Sequence, residues 1–156
     1  AGDRLHILLG AEFRLFKHTA TDYLVYGLTE EFLYTHPEIL TTGFAIFSQR
    51  VRAAGMFVVQ AHPFRKHMMV TSPKLLDAIE TYNGNKRHRS HNDIADIWAD
   101  RFQMRKTSGS DTHRPDDDAC AGIRTETPIT TNEELLAVLR SGNYTLIKES
   151  TNLKED

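Results

Sequence analysis

Met56-Phe57-Val58-Val59-Gln60-Ala61-His62-Pro63-Phe64-Arg65 is the stretch from which the rest of the chain can be read. Its first four residues are apolar on both faces, the pattern of a strand buried in a parallel sheet. Pro63 removes a backbone donor and stops the ladder there. His62 therefore sits at the carboxyl end of a strand, where loops gather and a ring fixed before a proline is well placed to ligate a metal. Arg65, three residues on, can turn its planar guanidinium toward an anionic ligand such as a phosphate.

Reading outward, Ser108-Gly109-Ser110-Asp111-Thr112-His113 repeats the theme. Residues i and i+2 of an extended segment leave on the same face, so Asp111 and His113 can meet one cation, with zinc, manganese or iron as the candidates. Upstream, Leu5–Leu9 reads as a buried strand that puts Glu12 near its carboxyl end. Asp22–Gly27 and Ala78–Gly84 read as further strands, Met104–Thr107 as a polar strand that is short or at an edge, and Tyr144–Ile147 as the last strand.

Helices fill the intervals. His36-Pro37 is expected to open one whose stripe is Leu40, Phe44, Phe47, Val51 and Ala54, with Gly55 ending it. Ser90 or Asn92 is expected to cap the next, with Ile94, Ile97, Trp98 and Phe102 buried. Thr131 with Glu134 matches a capping box for a last helix carrying Leu135, Leu136, Val138 and Leu139. Strands alternating with helices point to a parallel α/β arrangement. In such folds ligands bind at the carboxyl ends of the strands, where Glu12, His62, Asp111 and His113 all fall. Lys86, Arg87, His88, Arg89 and His91 read either as a solvated loop or as a field attracting a phosphorylated substrate. Asp116-Asp117-Asp118 reads as a solvated acidic loop.

Composition narrows the function classes. The chain has 156 residues, 40% hydrophobic and 26% charged, with a formal net charge of −2, enough for one domain with a core. It lacks the basic excess of a nucleic-acid binder and any apolar run long enough to span a membrane. Its single cysteine, Cys120, excludes an internal disulfide framework and a cysteine-rich metal site. Ala1-Gly2-Asp3-Arg4 shows no secretory pattern, and a cytoplasmic protein is the expectation.

Gly10-Ala11-Glu12, Ala61-His62-Pro63-Phe64-Arg65 and Ser108–His113, in this order, resemble the PHP (polymerase and histidinol phosphatase) family. Asp22–Gly27, Tyr82-Asn83-Gly84-Asn85 and the stretch Gly122–Ile147 are similar to its metal-dependent phosphoesterase branch. The resemblance implies a distorted β/α barrel over residues 1–150, with 151–156 a frayed tail. It implies a cluster of divalent zinc, manganese or iron ions, held by Glu12, His62, Asp111 and His113. It also implies hydrolysis of a small-molecule phosphate ester, by water activated on the metals with Arg65 neutralising the phosphoryl group. The family's opening His-x-His on its first strand is absent, so the chain resembles such a domain lacking its first strands. Leu28-Thr29 stand where trinuclear members place a histidine, which favours two ions. The expectations are a segment that is inactive or nearly so by itself, and self-association through an open sheet edge. The alternative is a non-catalytic metal- or phosphate-binding module, or a fragment that another chain completes.

Overall fold

The computed structural model describes residues 5–15, 21–117 and 119–148. The expected tail at 151–156, the polar connection around Lys17 and His18, and Asp118 of the acidic loop lie outside the described residues.

Five strands form the main sheet: β1 (Gly10–Phe13), β2 (Tyr23–Tyr26), β3 (Phe57–Gln60), β4 (Ala78–Asn83) and β5 (Arg105–Gly109), side by side in that order. β3, β4 and β5 run parallel, as the alternation of strands and helices predicts. The first half does not: β1 pairs antiparallel with β2, and β2 antiparallel with β3. The link from Phe13 to Tyr23 is shorter than the dozen or more residues a parallel crossover needs, so the chain turns back. β6 (Ala121–Arg124) and β7 (Thr145–Lys148) make a separate antiparallel pair. It leans on β5 through the Ser108 hydroxyl, which donates to the Ile147 carbonyl at 2.8 Å. Among the described residues the strands do not close into a barrel, which corrects the barrel expected from the resemblance; the architecture is a mixed α/β sheet with four α-helices.

The helices are α1 (Glu30–Thr35), α2 (Phe44–Ala53), α3 (Asn92–Arg101) and α4 (Asn132–Ser141). In α2 the stripe Phe44, Phe47 and Val51 is buried as expected, and it packs with Tyr23, Val25 and Val58. The helix is shorter than its pattern. Pro37–Leu40 is a separate 3-10 turn, Gly43 caps α2, and Leu40 and Ala54 are exposed. α4 has the full Thr131–Glu134 capping box and ends on Gly142, whose φ of 75° suits a residue without a side chain.

Two expectations fail for one reason: apolar residues are buried only where a partner element covers them. Leu5–Leu9 is not a buried strand. It precedes β1, pairs with no strand among the described residues, and leaves Leu5, Ile7 and Leu9 exposed. α3 does not bury Ile94, Ile97 and Phe102. It turns the small residues Ala95 and Ala99 onto the sheet, so the helix approaches closely and the larger side chains face outward. Nor do Ser90 or Asn92 cap α3. The cap is His91, at φ 51°, while the Asn92 side chain accepts from the Asn83 backbone N–H and donates to its carbonyl.

Candidate metal centre

The mixed topology decides which groups meet. β1 and β3 run the same way, so Glu12 near the end of β1 and His62 just after β3 lie at one edge of the sheet. β2 runs against both, so its beginning arrives at that edge and delivers Asp22. β5 ends there too, bringing Ser110 to His113. A cleft of about 790 Å³ opens along this edge, and Glu12, His62, Arg65, Asp111 and His113 all line it, with Asp22 and Arg14.

One ligand atom from each of Glu12, Asp22 and His62 lies within 4.8 Å of the others, and this group can bind a metal. His62 is buried, its Nε2 is 3.6 Å from Glu12 Oε1 and 4.0 Å from Asp22 Oδ2, and its Nδ1 has no hydrogen-bond partner among the described residues. These separations are too long for hydrogen bonds. The shorter is close to that of two ligands sharing one cation, since arms of about 2.1 Å opened to a tetrahedral angle end about 3.4 Å apart, and the longer would have to close slightly to reach it. Two carboxylates and an imidazole suit the borderline-to-hard divalent ions. The donor set fits a divalent cation and does not by itself name the metal.

The backbone at His62 is held in place by a buried neighbour. Its φ of 28° is costly for a residue with a Cβ, and its N–H donates to Glu80 Oε2 at 2.8 Å. Glu80 is buried inside β4, and it also accepts from Asn83 Nδ2 at 3.1 Å. Burial pushes its carboxyl up to about 7, against the opposing pull of Asn83 and His62. Gly109 on the neighbouring strand makes room for it: a Cβ there would come within 2.7 Å of Glu80 Oε1.

The opposite wall is arranged differently. Arg65 Nη2 donates to Asp111 Oδ2 at 2.7 Å, Asn83 Oδ1 at 3.1 Å and Ser90 Oγ at 3.2 Å. Burial works to raise the Asp111 carboxyl, but Arg65 outweighs it and holds the group below the ordinary range. Asp111 itself sits at φ 51°, and its carbonyl accepts from Asn85 Nδ2 and from His113 Nδ1, both at 2.9 Å. A carbonyl only accepts, so His113 carries its proton on Nδ1 and keeps a lone pair on the exposed Nε2. Asp111 and His113 thus line the same cleft but stand outside the three-residue group.

Asp117 does not float in solvent. It pairs with Arg87 and accepts from the backbone N–H groups of His113 and Arg114 at 2.6 and 2.9 Å, which pushes its carboxyl far below the ordinary range. Asp22, Glu80 and Asp117 are the site residues that sequence reasoning missed. Asp22 follows a polar link and opens a buried strand, and Glu80 interrupts a run buried on both faces; an acid in either place needs a partner.

The fold and site define a mixed α/β domain with a candidate cation cluster at one sheet edge. Residues 89–144, from shortly before α3 to just before β7, match the family model described as PHP-associated, and the match supports a PHP-related domain. Asp111 and His113 lie within that segment; Glu12, Asp22 and His62 lie outside it. No curated protein matches the chain. Among the described residues no helix is long and apolar enough to cross a membrane.

Proposed function

We propose that this cleft is the centre of a PHP-type, metal-dependent hydrolase of phosphate esters. The observation that carries the reading is the group Glu12, Asp22 and His62, three donors facing one another with the His62 ring otherwise unpaired. When bound, a divalent cation supplies Lewis acidity, making water a better nucleophile and offsetting charge on the phosphoryl oxygens. The chain's own residues do the rest. Glu12 and Asp22 supply the anionic ligands and His62 a neutral one, on a backbone that Glu80 fixes. Asp111 and His113 complete the donor set from the facing wall, His113 through its Nε2 lone pair. Arg65, Lys66, Arg87 and Arg114 around the cleft draw a phosphate dianion in. The substrate class is a small-molecule phosphate ester, and zinc, manganese or iron the metal.

A second reading is a module that binds metal and phosphate without turning over an ester. The commitment of Asp111 to Arg65 favours it, because that carboxylate is already neutralised. Hydrolysis of a generic aryl phosphate, measured with saturating manganese or zinc, separates the two. The hydrolase reading expects metal-dependent release of phosphate, even if slow, that His62→Ala abolishes. Cation binding with no hydrolysis at any metal concentration would leave the binding module.

A further inference from the structure

We propose that Arg14 stands in for the cation: it neutralises Asp22 while the metal is absent, and metal binding frees it to take an oxyanion such as phosphate. This rests on the metal-centre reading above and names the residue that would receive the phosphate.

Arg14 grips Asp22 with both arms of its fork, Nε to Oδ1 and Nη2 to Oδ2, each at 2.6 Å. The two partners are unequally exposed, 59% for the Arg14 side chain and 5% for Asp22. A carboxylate so deeply buried is costly to leave without a positive partner. Asp22 Oδ2, which accepts from Arg14, is also the oxygen facing His62 Nε2. A cation bound by Glu12, Asp22 and His62 would therefore meet the guanidinium on one carboxylate, and like charges at that range repel. The divalent ion has three ligands and twice the charge. Arg14 holds only Asp22, and its stem is largely in solvent, so letting go costs it little.

Arg65 cannot make the same exchange. Its Nη2 is shared among three acceptors, its side chain is only 15% exposed, and its departure would leave Asp111 unpaired. Arg14 lines the same cleft and, once displaced, keeps a planar fork that fits two phosphoryl oxygens as it fitted two carboxylate oxygens.

The test uses the whole chain with Mn²⁺ and inorganic phosphate as probes, followed by calorimetry. Arg14→Gln is expected to bind Mn²⁺ about fivefold more tightly than the parent, because a competitor is gone. The Mn²⁺-loaded variant is expected to bind phosphate about tenfold more weakly. Arg14→Lys keeps a charge beside Asp22, so it guards against a folding defect. It should bind Mn²⁺ about as the parent does and lose phosphate affinity with the fork. Opposite signs for the two probes in Arg14→Gln support the exchange. Weakening of both, which a residue that merely orients Asp22 would cause, overturns it, and so does no change in either. Absence of Mn²⁺ binding in the parent and both variants would instead overturn the metal-centre reading.

Discussion

The two walls of the cleft carry similar residues and behave differently. On the wall built by β1, β2 and the end of β3, Glu12, Asp22 and His62 face one another at distances too long for hydrogen bonds, and the guanidinium nearby is exposed. On the wall built by the ends of β4 and β5, the charged and polar groups bond mainly to one another: Asp111 to Arg65, Asn83 to Glu80, the Asp111 carbonyl to Asn85 and His113, with Arg65 Nε the one buried donor there that lacks a partner among the described residues. The first wall has more negative charge than partners to neutralise it, an imbalance that a cation would offset. The second is bonded mostly within itself. The sheet explains the difference, because an antiparallel strand brings an acid to the open wall from its amino end, whereas the parallel strands deliver loops that bond to each other.

The largest expected effect on stability lies in the closed wall. Asp111→Ala would strand the mostly buried Arg65 charge and lower unfolding free energy by about 3 kcal/mol or more. Asp111→Asn keeps an acceptor and should lose less. On the open wall, Arg14→Ala breaks a pair whose cation is exposed and should cost less than Asp111→Ala. Denaturant unfolding at one pH checks the ranking. An Arg14 variant as damaged as Asp111→Ala would erase the contrast.

A smaller effect should appear on changing pH. Glu80 has its carboxyl raised from 4.5 to about 7 by burial, so the folded chain holds that proton more tightly than the unfolded one. Its contribution to stability is fully present below about pH 4.5 and is lost as pH rises through about 7. Glu80→Gln keeps an acceptor for His62 and removes the titration. In metal-free unfolding curves taken between those pH values, the parent should lose stability relative to Glu80→Gln as pH rises. Parallel curves would mean that Glu80 does not titrate there.

The smallest effect is expected at the rim. Asp117 binds the backbone of His113 and pairs with Arg87 but offers no free face to the cation group. Asp117→Ala should change Mn²⁺ affinity by less than about threefold, against a larger loss for Asp111→Ala. Equal affinities in the two variants would remove Asp111 from the donor set.

Much of this was legible in the sequence, and its gaps have physical causes. A buried run stopped by proline marked His62, and the i, i+2 spacing of Asp111 and His113 after a polar strand marked that stretch. Glu12 was placed at the same sheet edge as His62 from a misplaced strand: Leu5–Leu9 has the hydrophobicity of a core strand but no partner among the described residues, and β1 begins only at Gly10. That Asp22 would join Glu12 and His62 was not legible, because strand direction is a property of pairing and not of local pattern. The α3 stripe misled for a related reason. Large apolar residues mark a face that wants cover, while close approach to β4 selected Ala95 and Ala99. The bonds of Arg65 to Asn83, Ser90 and Asp111 could not be read, because those partners are distant in sequence.

The most direct measurement is the affinity of the chain for Mn²⁺ or Zn²⁺, by calorimetry with metal analysis of the dialysed protein, for the parent, His62→Ala, Asp22→Asn and His113→Ala. The account predicts that the parent binds, that His62→Ala and Asp22→Asn lose about a hundredfold or more in affinity, and that the exposed His113→Ala loses far less. A parent that takes up no divalent ion, or Asp22→Asn and His62→Ala variants that bind as the parent does, would contradict it.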